Sequence, residues 1–426
     1  MRRTMSPAIA GSLVGLASSV MLGGACGSEQ REPRASPSPR AALAVMATTP
    51  PADGDIAGPA NGRGPQRPLG GTGSAVAQEV CDRKHRGWKS RPGDEPCPTG
   101  GCGMNGVWLG SGVAFRTLHL DRMRLNPQGL RIKEFTAQGD DLQVEVTGQL
   151  LSGVHGTKRV EGESLIGAAL TLEHVDVRAK SADGSYVLKI TGVRDEEFWA
   201  NCVPGSKACG AVPAKARLYA FEAWSSDGCK VELCRPGLTD DYQGGLSGTA
   251  VIFRGDYYND DYTIRTSPPQ PGDDDVFNIA CVGTDIAKLH LLRHTSAADP
   301  AEGQPTANQR QALLRLFAAD YCGIGHPFTK DGTRIKLGLR STRWQPSPAS
   351  GFALPTSPVD GPQRSRQAPG TLNAWWTDAG ASCIDVPRIA EYTLGDINLT
   401  CGHAVPACQG SLRNVVRQGY AWSWNP

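Results

Sequence analysis

The sequence predicts a mainly β protein of the α+β class, loop-rich, disulfide-stabilised and carrying a few short helices. Three observations predict it. Glycine and proline are frequent, 52 and 31 of 426 residues, which favours turns and interrupts long helices. Short apolar runs alternate with polar residues at period two. Cysteine is abundant, with 13 in the chain.

The chain opens like an export signal. Arg2 and Arg3 give a positive start, 8–22 is small and apolar, and Gly23 and Ala25 put small residues at a cleavage point. Residues 1–25 are therefore expected to be a signal peptide. Cys26 follows at once, where a bacterial lipoprotein carries its lipidated cysteine. That pattern prefers leucine three residues before the cysteine, and here Gly23 stands there with Leu22 one step early. Lipidation at Cys26 is the leading reading; plain secretion and an uncleaved anchor remain open. No later stretch has the ~20 apolar residues of a spanning helix. The expected location is extracytoplasmic, at the outer membrane or periplasm as a lipoprotein, or else secreted.

Residues 26–78 read as a disordered linker, because about a third of 31–78 is Pro or Gly and no hydrophobic period runs through it. The globular part is expected to divide into a β-rich domain over 79–275 and a second region over 276–426 with two short helices and strands. In the first, DLQVEV turns Leu142, Val144 and Val146 inward. SADGSYVLKI places an Asp183-Gly184 turn before Tyr186, Leu188 and Ile190. ARLYAFEAW, GTAVIF and DYTIR read as further strands, and KDGTRIKLGL puts Asp331-Gly332 ahead of Ile335, Leu337 and Leu339. One helix is expected over 284–293, with Ile286, Leu289 and Leu292 on one side. A second is expected over 306–321, opened by a Thr306/Gln309 capping box after Pro305. Leu313, Leu316, Phe317 and Tyr321 form its apolar stripe, Asp320 falls within that stripe, and Gly323 is expected to end the helix in the left-handed conformation.

With Cys26 set aside, twelve cysteines remain: Cys81, Cys97, Cys102, Cys202, Cys209, Cys229, Cys234, Cys281, Cys322, Cys383, Cys401 and Cys408. An even set in an exported chain reads as a disulfide framework. Short spacings favour Cys202–Cys209, Cys229–Cys234 and Cys401–Cys408.

The motif Ala319-Asp320-Tyr321-Cys322-Gly323 resembles the ADYC domain, a family of exported bacterial proteins known mainly from myxobacteria and often read as lipoproteins. Phe277-Asn278-Ile279-Ala280-Cys281 followed by Ile286-Ala287-Lys288, the turn Thr329-Lys330-Asp331-Gly332-Thr333, and the segment from Ala374-Trp375-Trp376 to Gly380-Ala381-Ser382-Cys383 are similar to that family in the same order, over roughly 160–390. The resemblance implies location and fold, not an activity. It also implies two cysteines where this chain has Leu289 and Leu313, and two leucines in contact can fill the space of a lost bridge with apolar packing.

Candidate chemistry has a plain reading beside it in each case. Asp320 on an apolar face suits a general acid or base, and equally a carboxylate that fixes a neighbouring loop through backbone N–H groups. His326 lies six residues on, in a Gly- and Pro-rich turn. Cys322 suits a nucleophile only as a free thiol, whereas an exported cysteine is expected in a bridge. Cys97/Cys102 and Cys229/Cys234 have spacings seen in zinc sites but form no paired set. The acidic runs 256–261 and 273–275 offer oxygens to calcium without the spacing of a helical calcium loop, and a solvated loop is the simpler expectation. Gly245-Leu246-Ser247-Gly248 lacks the nucleophile-elbow spacing. His85, His119, His155, His174, His290, His294 and His403 look scattered. Tyr420, Trp422 and Trp424 are expected on one face of a terminal strand, packed on the core or open to a sugar.

No catalytic residue, metal or cofactor is expected. The formal net charge is +2, from 44 Lys+Arg against 42 Asp+Glu, which argues against nucleic acid as partner. The function expected is a lipid-anchored, non-catalytic binding or structural module of the cell envelope, with the membrane and a protein or glycan as partners. An extracytoplasmic hydrolase is the alternative.

Overall fold

The structure, a computed structural model, describes residues 104–107, 109, 115–176, 181–203, 213–225, 228–231, 233–234, 246, 248–259, 261–266, 275–298, 305–330, 333–340, 343–347, 371–408 and 419–425. The expected signal peptide, Cys26, the linker, Cys81, His85, Cys97, Cys102, Cys209, Ser247 and the Asp331-Gly332 turn lie outside these residues. By its contacts the chain divides into Met1–Pro68 and Leu69–Pro426. Everything below concerns the second unit.

A nine-stranded antiparallel sheet forms its centre. Across it run Thr117–His119, Val276–Cys281, Thr249–Arg254, Lys215–Ser225, Ser181–Glu197, Ala169–Asp176, Leu130–Ala137 and Asp140–Asp141, with Lys230–Val231 pairing onto Lys215–Ser225. Two of its strands, Val276–Cys281 and Thr249–Arg254, are buried on both faces, so they read as continuous apolar runs rather than alternating ones. In Thr249–Arg254, Ala250 and Ile252 join one core while Val251 and Phe253 join the other. The first core lies under a three-stranded sheet, Gln143–Thr147, Leu150–His155 and Lys158–Glu161, which supplies Val144, Val146, Leu151 and Val160. Bulges at Ile132/Glu134, His174/Val175 and Ala220/Phe221 break the ladder, and bulges of this kind bend and twist a sheet. One of them corrects the expected Asp183-Gly184 turn: the strand Ser181–Glu197 runs straight through, with Gly184 opposite His174. Asp183 is the extra residue of that bulge, since His174 pairs with Gly184 and Val175 with Ala182, which a local pattern cannot show.

The second core is covered by helices. Helix α1 (Asp285–Leu291) follows the strand Val276–Cys281 directly, and α2 (Ala307–Ala318) packs on α1 and on a four-stranded sheet. That sheet runs in the order Lys336–Leu339, Ala421–Asn425, Thr371–Thr377, Gly380–Ile384. Leu289 and Leu313 are both fully buried in this core. The expected Thr306/Gln309 capping box is present, with Gln309 N–H donating to Thr306 Oγ1 at 3.3 Å and Thr306 N–H to Gln309 Oε1 at 2.8 Å.

The helix ends earlier than expected. Ala319, not Gly323, takes the left-handed conformation at its C-cap, with φ 50° and ψ 39°. Asp320 is thus beyond the helix rather than on its apolar stripe. A third helix, α3 (Leu394–Cys401), was not expected; it has its own capping box, Thr393 with Asp396, and buries only Ile397. The expected boundary at 275/276 falls inside the unit, at the edge of a strand that pairs with Thr249–Arg254.

Among the described residues, Cys234–Cys281, Cys322–Cys401 and Cys383–Cys408 are bridged and join distant segments, so the expected Cys229–Cys234 and Cys401–Cys408 pairs are corrected. Cys202 and Cys229 are also disulfide-bonded. Cys234 bridges to Val107 beside the strand that carries Cys281, while the end of α3 brings Cys401 to the motif. The terminal strand also differs from simple alternation. Trp422 and Trp424 join Leu372, Trp375, Cys383 and Cys408 on the outer face of the four-stranded sheet, but Tyr420 belongs to the inner core. Of the described tryptophans only Trp224 is exposed, at 37%, under the Lys230 ammonium.

Because Leu313 is fully buried in the helix-covered core, Leu313→Ala is expected to lower stability by about 3 kcal/mol in chemical denaturation.

Candidate functional site: the joint at Ala319–Gly323

Each residue of the motif connects α2 to a different neighbour. Ala319 ends the helix and its carbonyl accepts from Phe328 N–H at 3.3 Å. Asp320 leaves the helix and returns to it. Its carboxylate, fully buried, pairs with Arg315 and accepts from the N–H groups of Ile324 at 3.2 Å and Gly325 at 2.8 Å. Burial pushes this carboxyl above its usual range, while the Arg315 guanidinium and the two N–H groups oppose the rise.

Arg315 reaches further. Its Nη1 also donates to the Asp261 carbonyl at 2.9 Å. Two other residues of α2 hold the same loop. Gln311 donates to the Tyr262 carbonyl at 2.6 Å and accepts from Ile264 N–H at 2.7 Å. Arg310 pairs with Asp256 at 2.9 Å, and both are nearly inaccessible. The acidic run at 256–261 is therefore not simply a solvated loop: Asp256 lies inside the protein, and the run is the strip onto which α2 docks. Gly325 completes the contact, since a Cβ there would lie 2.6 Å from the Asp261 Cα.

Tyr321 faces the four-stranded sheet. Its ring stacks on Trp376 at 5.2 Å, and its hydroxyl accepts from Asn373 Nδ2 at 2.7 Å and from Arg388 N–H at 2.8 Å. The chain continues inward: Trp376 Nε1 donates to Ser423 Oγ at 2.9 Å, and Ser423 Oγ donates to Asn373 Oδ1 at 2.7 Å. Burial raises the Tyr321 hydroxyl above its ordinary range. Arg388 in turn caps α2, donating to the carbonyls of Leu316 at 2.5 Å and Phe317 at 2.8 Å.

Cys322 is spent in its bridge to Cys401, which ties α3 to the motif. Gly323 has φ 69° and lies so close to the hairpin turn after Thr377 that a Cβ would run into the Ala379 carbonyl. Gly380 answers from the other side, with φ 120° and a Cβ position 2.6 Å from the Tyr321 carbonyl. Two glycines allow two backbones to touch.

The other sequence candidates separate. His326 packs edge-on against Phe328 at 4.7 Å and shares no hydrogen bond with Asp320 among the described residues. No group of three or more His, Cys, Asp or Glu side chains among the described residues is placed to hold a metal ion. Sequence reasoning missed Arg310, Gln311 and Arg315, whose spacing marks a polar flank of α2, and Arg388. It also missed that His290 and His294 are four apart and both fully buried.

Chemically, the arrangement is a joint: one carboxylate, one phenol, one bridge and two glycines fasten α2 to a loop, a sheet, a helix and a hairpin. Removing one member of a buried ion pair leaves the other charge uncompensated. Asp320→Ala is accordingly expected to lose about 3 kcal/mol or more of stability in denaturant titration. Tyr321→Phe keeps the stacking and strands two donors, and is expected to lose about 1–3 kcal/mol by the same measurement.

The ADYC domain matches residues 162–390, more than half of the chain. No curated protein and no solved structure matches it. The matched span holds both helices of the joint's core and the motif itself, and the chain belongs to the ADYC domain family.

Proposed function

We propose that this chain is an exported, lipid-anchored cell-envelope protein that works as a non-catalytic module, offering a disulfide-braced β scaffold to a protein or glycan partner. The occupation of the motif carries the reading. Asp320 spends its oxygens on Arg315 and two backbone N–H groups, and Cys322 spends its sulfur on Cys401. The groups that a general acid or a thiol nucleophile would need are engaged in holding elements together.

Location is supported by the cross-links. Three bridges join residues 25 to 79 positions apart, and such disulfides persist in oxidising compartments. Among the described residues no helix is long and apolar enough to cross a membrane. Attachment would then rest on a lipid at Cys26.

Fractionation of a bacterial host expressing the full chain tests this. The wild type is expected with the membranes and Cys26→Ser in the soluble extracytoplasmic fraction; unchanged membrane association of the variant overturns the anchor. The non-catalytic reading fails if Asp320→Asn melts like the wild type yet abolishes a hydrolytic activity of the purified protein.

A further inference from the structure

We propose that the turn following α1 is an acid-triggered release between the nine-stranded sheet and the motif-bearing half of the fold. This goes beyond the functional reading above and does not depend on it. His290 in the last turn of α1, and His294 and Thr295 just after it, are all fully buried, and their hydrogen bonds have defined directions. Gln149 Nε2 donates to the Lys215 carbonyl at 2.7 Å, so Gln149 Oε1 faces the His290 ring, 3.1 Å from Nε2. The proton therefore sits on Nε2, and Nδ1 accepts from the Thr295 hydroxyl at 2.9 Å. His294 is the reverse. Its Nδ1–H donates to the Leu292 carbonyl at 2.7 Å, and its Nε2 accepts from the Tyr420 hydroxyl at 2.7 Å.

Both rings are thus neutral, and each fastens the turn to a different body. His290 reaches Gln149, beside the three-stranded sheet, and stacks on Phe253 of the large sheet at 4.6 Å, with Phe198 at 5.8 Å. His294 reaches Tyr420, next to the last strand of the four-stranded sheet. The charged groups facing them are cations: Arg293 acts on His290, and Arg310 of α2 acts on His294. Behind Arg310 stands the Asp256 carboxylate, already paired with it. A proton on either ring would add a buried charge beside an arginine. Of the three described disulfides, Cys234–Cys281 lies on the large-sheet side and the other two on the motif side, so none of them ties the two halves across this turn.

Burial, with the neighbouring arginines, pushes His290 down to about 3 and His294 to about 4. The sign follows. An opened turn would titrate near the ordinary histidine value of about 6.5, so the open form binds the protons and the closed form does not. Closure is fully favoured above that value and is lost progressively as pH falls towards 4. Two histidines raise the opening constant on the order of a hundredfold per pH unit in this window. Asp256 works the other way: burial raises its carboxyl, so its proton favours the closed form.

Hydrogen exchange of the oxidised full chain between pH 6.5 and 4.5, corrected for intrinsic rates, measures the opening constant directly. Amides of α1, of 292–298 and of 419–425 are expected to open on the order of a hundredfold more per pH unit, while those of Ser181–Glu197 change far less. His290→Gln or His294→Gln is expected to cut that slope to about tenfold per unit. A flat slope in the wild type overturns the proposal, as does a uniform rise over every amide or an unchanged slope in a folded variant. If neither variant folds, the wild-type slope decides alone.

Discussion

The guanidinium of Arg315, held between the Asp320 carboxylate and the Asp261 carbonyl, is the contact on which the motif-bearing half depends. It fixes the corner at which the chain leaves α2, while Arg388 takes up the carbonyls of Leu316 and Phe317 at the helix end. A buried pair of this kind adds little net stability over apolar packing, because both charges leave water. Its effect is positional: the carboxylate can satisfy Arg315 only if the chain leaves the helix at Ala319 and turns back within one residue. That turn sets the direction of everything after it, through Tyr321, Cys322 and Gly323.

The rest of the architecture follows from burying both faces of Val276–Cys281 and Thr249–Arg254. The large sheet needs a cover on each side. The small three-stranded sheet supplies one, and α1 and α2 with the four-stranded sheet supply the other. A helix packed against α1, the four-stranded sheet and the strand Ile264–Arg265 has few solvent-facing positions, which explains why α2 carries Arg310, Gln311 and Arg315 inside the protein. Each is matched by a polar group of the 256–264 loop or the motif. Partly exposed ion pairs do a lesser job. Arg131–Glu173 and Arg217–Asp195 join directly opposed residues of the large sheet, and pairs of that exposure contribute at most about 1 kcal/mol each.

The motif and the histidine turn use burial differently. At the motif a charge is kept inside because its counter-charge is fixed beside it. At the turn the rings stay inside because they are neutral, and the nearby charges are of the kind that would repel a proton. The first arrangement rigidifies a corner; the second holds it only while the rings remain unprotonated. Arg310 near the start of α2 acts on His294 and the motif begins at the other end of that helix, so the two halves of the fold meet where polar groups, not only apolar ones, decide the fit.

Sequence alone determined what depends on neighbours along the chain. Leu142, Val144 and Val146 are buried at period two as their pattern implies, Thr306 and Gln309 form their capping box, and the family membership rests on the residues that announced it. The third helix was legible too, in Thr393 and Asp396, though its single buried residue left almost no apolar period to notice. Only the tertiary structure decided which cysteines meet, that Asp256 is buried, that the 181–197 strand passes through an Asp-Gly pair, and that a left-handed alanine rather than a glycine ends α2. The reason is physical. Caps and periodicities are settled by bonds within a few residues, whereas a disulfide partner, a bulge or a counter-ion is supplied by a segment that the fold returns from far along the chain.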